Sequence, residues 1–168
     1  MGPRALSALA VCTAALTYPT TLAGSLPARG VFVPGESLSG VRLGDTRSEV
    51  LDLWGSRHGI CRDCRRVTWY FNLKPFDPQG AAVVFRRGRV VRAFTVWRPR
   101  GWRTDEGLEL GAPSGALAKA YPGLASRSCD RYTAFLRPGN VRTKSVFYVY
   151  RGRLWAFGLM RPQLSPCP

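Results

Sequence analysis

Apolar and polar positions alternate most clearly in two places. Val67-Thr68-Trp69-Tyr70-Phe71-Asn72-Leu73 puts large apolar side chains at every second residue, and Tyr132 to Leu136 is similarly rich in aromatic and apolar residues. Both predict strands. Each is followed by an apolar approach (Ala81 to Phe85; Ser145 to Tyr150), an Arg-Gly pair (Arg87-Gly88; Arg151-Gly152), and an apolar exit closed by Arg-Pro (Arg98-Pro99; Arg161-Pro162). An X-Gly pair between two apolar runs is the signal of a two-residue β-hairpin. The chain therefore predicts two hairpins, one in each half.

The hairpins are preceded by matching phrases. Gly40-Val41-Arg42-Leu43-Gly44 corresponds to Gly107-Leu108-Glu109-Leu110-Gly111, and each leads into a short helical pattern. In the first, Thr46 and Glu49 form an S/T-x-x-E capping box. Val50, Leu51 and Trp54 share a face, and Gly55 stands where a helix stops. In the second, Pro113 suits a first-turn position, Leu117 and Tyr121 repeat the spacing of Val50 and Trp54, and Pro122-Gly123 ends the run. The second copy reads one residue shorter opposite Arg92, which predicts a β-bulge there. Helices of two to three turns need a surface to pack on. The expected fold class is α+β: two tandem α(α)βββ repeats forming one continuous antiparallel sheet, with the short helices on one face. The expected organisation is a signal peptide at 1–28, a lead-in segment at 29–39, a first repeat at 40–104 and a second at 105–168 with a tethered tail.

The N-terminus carries Arg4, an apolar run from Ala5 to Leu16, and small residues at Thr21-Leu22-Ala23, the layout of an export signal cleaved before Gly24. That run is too short to span a bilayer, and no other stretch approaches the needed length. Cys12 lies inside the apolar run behind Leu9-Ala10-Val11 and does not read as a lipid-anchor cysteine. Cleavage there leaves Cys61, Cys64, Cys129 and Cys167. An even count in an exported chain predicts disulfides. Three pairings are formally open; Cys61 with Cys64 and Cys129 with Cys167 is favoured, because the first pair is confined to one short loop and the other two share the second half.

Composition adds a large positive charge: 25 Lys and Arg against 10 Asp and Glu, +15 in all, and only Lys74, Lys119 and Lys144 are lysines. Such an excess favours anionic partners and makes association salt-sensitive. Arg-rich, Lys-poor usage beside abundant Ala, Gly and Pro is also what a GC-rich genome writes. Nucleic acid is disfavoured by the export signal and by the absence of zinc-finger, helix-turn-helix or RNA-recognition signatures.

The repeated Gly-x-x-Leu-Gly, the short helix ending near Trp-Gly or Tyr-Pro, the Cys-bearing loop and the Gly-Arg-Val/Leu hairpin resemble the tandem unit of the secreted β-lactamase inhibitor proteins. The phrase Gly40-Val41-Arg42-Leu43-Gly44-Asp45-Thr46-Arg47-Ser48-Glu49-Val50 is similar to the opening of the small outer-membrane-assembly lipoproteins of the BamE/SmpA type. The resemblance covers residues 40 to 162. It implies a saddle whose concave sheet face grips a partner protein, without chemistry of its own. The inhibitor family places one disulfide within each repeat; here Cys61-x-x-Cys64 lies in the first, and the favoured partner of Cys129 lies in the tail.

Catalytic chemistry is thin. His58-x-x-Cys61-x-x-Cys64 could contribute to a zinc or thiol site, but zinc needs four ligands and a redox Cys-x-x-Cys sits at a helix start. A structural bridge with His58 on the surface is the simpler reading. A single histidine excludes a Ser/His/Asp arrangement apart from His58. Asp105-Glu106 reads as a solvated turn beside Arg103. Neither an enzyme nor a cofactor is expected.

The remaining candidates are aromatic and basic. Trp, Tyr and Arg carry much of the energy of protein interfaces, and here they interleave. Trp102, Trp97, Trp155, Trp69 and Tyr148, with Arg89, Arg92 and Arg153, form the candidate partner-binding set; Trp102, in the connector Pro99-Arg100-Gly101-Trp102-Arg103, is the first choice. The expected function is recognition of an acidic-surfaced partner protein, inhibitor-like in character. The alternative is adhesion to an anionic envelope polymer.

Overall fold

The computed structural model describes residues 25–61, 64–72, 80–96, 99–139 and 141–167. The expected export signal lies outside them as far as residue 24, as do Trp97 and Arg98. In chain order the elements are β1 (Gly30–Val33), β2 (Ser37–Leu38), α1 (Arg47–Trp54), β3 (Gly59–Ile60), β4 (Val67–Asn72), β5 (Gly80–Arg86), β6 (Arg89–Val96) and β7 (Trp102–Thr104). Then follow α2 (Ser114–Ala120), β8 (Ala125–Cys129), β9 (Tyr132–Pro138), β10 (Lys144–Tyr150) and β11 (Arg153–Met160).

One antiparallel sheet of eight strands dominates, in the order β3-β4-β5-β6-β11-β10-β9-β8; a second sheet has the order β2-β1-β7. This corrects the expected α+β architecture of two helix-plus-hairpin repeats. The helices are only eight and seven residues long. Strands β3 and β8 extend the sheet beyond the expected six, and a separate small sheet appears that was not foreseen. The molecule is mostly β, and its organising unit is the large sheet. The extra strands carry no alternation in the sequence for a physical reason. β8 is an edge strand whose first four residues are all exposed, so no face of it is buried deeply enough to impose a period of two. β1 and β2 are interrupted by glycine and proline, and β1 gains a parallel partner only from β7, about 70 residues away in the chain.

Both turns form as the Arg-Gly pairs predict. Arg87 and Gly88 have φ of 52° and 74°, and Arg151 and Gly152 have 48° and 71°, the left-handed pair of a two-residue hairpin. Each hairpin contains a bulge. The register shifts between Val84 and Phe85 opposite Arg92 and Val90, leaving Val91 extra; it shifts between Tyr148 and Val149 opposite Ala156 and Leu154, leaving Trp155 extra. The expectation of a bulge that distinguishes the halves opposite Arg92 is therefore corrected, since both hairpins carry the extra residue at the same distance from their glycine.

The inner face of the large sheet holds the main core. Phe32 of β1 stacks on Phe157 at 5.2 Å and meets Phe147 edge-on at 5.5 Å. Trp54 packs edge-on against Phe71 and Trp102. Val50 and Trp54 supply the buried face of α1, and Leu117 that of α2. The capping box is present: the Thr46 side chain accepts from the Glu49 N–H, and the Glu49 carboxylate accepts from the Thr46 N–H at 2.6 Å. Pro113 stands at the N-cap of α2 without a side-chain cap, one position before the first turn.

The halves of the sheet join where β11 meets β6 through Gly158↔Phe94, Leu159↔Ala93 and Met160↔Arg92. A Cβ on Gly158 would lie 2.2 Å from the Ala93 carbonyl oxygen, so the two backbones approach as closely as they do only because that residue has no side chain.

Candidate functional site: an aromatic groove on the outer face

The outer face of the sheet is covered in part by the C-terminal tail, residues 161–167. Lys144 Nζ donates to the carbonyls of Pro162 and Leu164 at 2.9 and 3.1 Å. Arg92 Nη2 donates to the Pro166 carbonyl at 3.1 Å and to the Tyr148 hydroxyl, which itself donates to Pro166 O at 3.1 Å. The Cys129–Cys167 disulfide closes the end of the tail, and Cys61–Cys64 closes the loop after β3. Both bridges are those favoured from the spacing, and such bonds persist in oxidising compartments. With these sulfurs paired, His58 stacks on Trp69 at 4.0 Å instead of meeting thiolates.

Beside the tail a groove of about 640 Å³ opens over the end of the β8–β9 hairpin, lined by Tyr132, Tyr150, Trp155, Asp130, Arg131 and the Cys129–Cys167 bridge. Tyr132 and Trp155 also wall an adjoining cavity of about 290 Å³, whose other side chains include Arg92, Phe94 and Tyr148. Trp155 is 37% exposed between buried Leu154 and Ala156, and Tyr150 is 38% exposed. The bulge is the reason. An extra residue in one strand lets two successive side chains avoid the core, so Trp155 and Ala156 both leave the inner face while Leu154 and Phe157 fill it. The Tyr132 and Trp155 rings lie 6.4 Å apart and are tilted by only 30°, giving a nearly flat apolar shelf.

Electrostatics favour an anion at the inner end of this shelf. Arg92 lies over the Phe94 ring at 5.3 Å; among the described residues its Nε is buried without an acceptor, and its hydrogen-bonded partners are the neutral oxygens of Tyr148 and Pro166. Burial, and then the charges of Arg127 and Arg92, hold the Lys144 ammonium below its usual range. Burial raises the Tyr148 phenol against the opposing influence of Arg92, and burial raises Tyr132. At the outer end Asp130 and Arg131 pair with each other at 3.6 Å.

The candidate set divides accordingly. Trp155, Tyr148 and Arg92 come together here, although Tyr148 is a buried wall rather than a contact surface. Trp102 is corrected: it is 0% exposed, its indole N–H donates to Pro27 O at 3.0 Å, and it belongs to the core. The N-terminal segment and Gly30 cover it, which its connector position does not reveal. Trp69 is also corrected, at 7% exposure beneath His58 and Phe85. Arg89 and Arg153 brace loops, donating to Gly44 O and Gly111 O at 3.2 and 3.0 Å; neither lines the groove. Trp97 lies outside the described residues. Tyr132, Phe94 and Pro166 were missed as site residues. The spacing of Cys129 and Tyr132 around Asp130-Arg131 was the available signal for a tight turn that brings a ring beside the bridge.

No family model matches the chain, and no curated protein does. Solved structures with partial likeness are an extracellular protein containing a SCP domain from Bacillus anthracis str. Ames (15% identity, TM-score 0.47, 71% of this chain and 44% of that one) and the protein yfeY from Escherichia coli (14%, 0.45, 82% and 99%). A third is a cysteine-rich secretory protein from Staphylococcus aureus subsp. aureus Mu50 (9%, 0.45, 79% and 51%). The chain thus spans about half the length of two of them. At these TM-scores none assigns it a family, and none of the three bears a β-lactamase-inhibitor or BamE/SmpA name.

Proposed function

We propose that the chain is an exported, non-enzymatic binding protein that recognises a partner protein through the outer-face groove around Trp155. The observation that carries this reading is a half-exposed tryptophan, pushed out of a core strand by a bulge, on an aromatic shelf next to an arginine without an acidic partner among the described residues. Burying Trp155 on association would remove apolar surface from water, and such central rings dominate binding energies. The export signal and the two disulfides support an extracellular setting.

The test is parallel capture from the native secreted fraction with wild type and Trp155→Ala. Wild type should retain a defined protein, and the variant should bind it roughly thirtyfold more weakly, in line with a loss of about 2 kcal/mol at a central aromatic. Arg153→Gln should bind as wild type. Equal retention by Trp155→Ala would remove the groove from the interface. The net charge of +15 favours a second reading, adhesion to an anionic envelope polymer. That association should disappear in a few hundred millimolar salt and be indifferent to Trp155.

A further inference from the structure

We propose that the cavity between Trp155, Tyr132 and Arg92 binds the C-terminal end of a polypeptide whose last residue is aromatic, its ring on the Trp155–Tyr132 shelf and its carboxylate facing Arg92. The proposal rests on the reading of the outer face as a protein-binding surface and names the part of the partner that enters it.

The inner cavity, at about 290 Å³, has room for one ring-sized group and a small polar head but not for a folded surface. Its walls are largely aromatic: Phe94, Tyr132, Tyr148 and Trp155. Flat apolar groups stack on such walls in offset or edge arrangements. Charge narrows the choice further. Arg92 is a permanently charged fork, half-buried, that gives Nη2 to two neutral oxygens and keeps a buried Nε without an acceptor among the described residues. A buried polar N–H without a partner is costly, and the nearby charges acting on Lys144 are those of Arg127 and Arg92 itself. Among the described residues the cation cluster thus lacks a counter-charge. An entering carboxylate supplies it through charge-assisted hydrogen bonds, which are stronger than neutral ones. The Asp130–Arg131 pair at the outer groove neutralises itself, so an acidic group is not repelled on its way in.

A chain end fits better than an internal acidic side chain. A C-terminal aromatic residue carries its carboxylate on the same Cα as its ring, which matches a cavity whose ring shelf and arginine share one small volume. The wider groove, about 640 Å³, then takes the preceding residues along Tyr150.

The full oxidised chain is titrated with N-acetyl-phenylalanine, N-acetyl-phenylalanine amide, N-acetyl-glycine and glucuronate, read by calorimetry and by tryptophan fluorescence. The free acid should bind, and its fluorescence change should disappear in Trp155→Phe. The amide, which keeps the ring and lacks the charge, and N-acetyl-glycine, which keeps the charge and lacks the ring, should each bind at least roughly tenfold more weakly, the loss expected for one charge-assisted contact or one ring. Arg92→Gln should lose binding by a similar factor. Arg92→Lys, which keeps the charge, should recover part of it, with the Cys129–Cys167 bond intact in both. Equal affinity for acid and amide, tighter binding of glucuronate, or an Arg92→Gln variant that melts normally and binds normally would each overturn the assignment. Failure of the acid with a partner still sensitive to Trp155→Ala would remove the chain-end ligand and leave the protein-binding face. Binding of the acid with a partner indifferent to Trp155→Ala would do the reverse.

Discussion

At the scale of single residues, Trp102 and Trp155 show how one side chain takes opposite roles according to what packs on it. A Cβ on Gly30 would lie 2.6 Å from the Trp102 ring, so the ring fills its site and touches backbone. Trp102→Ala should cost about 3–5 kcal/mol of stability through the cavity it leaves, measured by denaturant unfolding, and should leave the groove unchanged in any variant that folds. Trp155→Ala should cost much less than Trp102→Ala, because its ring is 37% exposed and leaves no closed cavity. A titration separates a third residue. Burial, and then the hydrogen bond its hydroxyl donates to Asp105, push Tyr121 up from 10.0 to about 12. The folded value lies above the unfolded one, so the stability tied to the protonated phenol is whole below pH 10 and is lost as pH rises through about 12. Melting between pH 9 and 12 should fall less steeply in Tyr121→Phe, the difference widening towards the alkaline end. Trp102 and Trp155 could not be told apart from their neighbours in the chain, because burial of the first depends on a segment some 70 residues earlier.

Among the elements, the strands with one deeply buried face were legible and the edge strands were not. Val67 to Asn72 alternates because its inner side chains, Trp69 and Phe71, meet the core. Ala125 to Cys129 belongs to the same sheet yet carries no alternation, since solvent reaches its first four residues. The capping box of α1 was readable because it is contained within four residues. The two disulfides differ in the length of chain they close. Cys129–Cys167 spans 38 residues and Cys61–Cys64 spans 3. On loop entropy alone the first should contribute about 4 kcal/mol and the second about 2. Replacing Cys129 and Cys167 with Ser should therefore lower stability the more, and it should also free the tail and disturb the groove it walls. Hydrogen exchange at the amides of residues 161–167 would register that release. Protection that persists in the double variant would show that Lys144, Arg92 and Tyr148 suffice to hold the tail.

For the whole molecule, 25 basic residues face 10 acidic ones, so most cations lack an anionic partner of their own. Ion pairs such as Arg42–Glu36 at 2.8 Å sit on an exposed surface, where they contribute little. Self-repulsion then opposes compactness, and salt relieves it. The melting temperature should rise as sodium chloride goes from about 10 to 500 mM; a flat or falling response would mean that the charge is distributed without strain. Salt should abolish polymer adhesion over the same range while weakening an interface centred on Trp155 far less.

The sequence alone determined what depends on neighbours within a few residues: the two Arg-Gly turns, the capped start of α1, the alternating inner strands and the closing of Cys61 on Cys64. Tertiary structure decided the rest. It set the number of strands, because edge strands have no buried face to mark them, and it placed the small sheet, because β1 and β7 meet only when the chain between them has folded. It also decided which aromatic ring is available to a partner. A one-residue bulge turns Trp155 outward while a distant N-terminal segment covers Trp102, and neither register nor coverage is a property of local sequence.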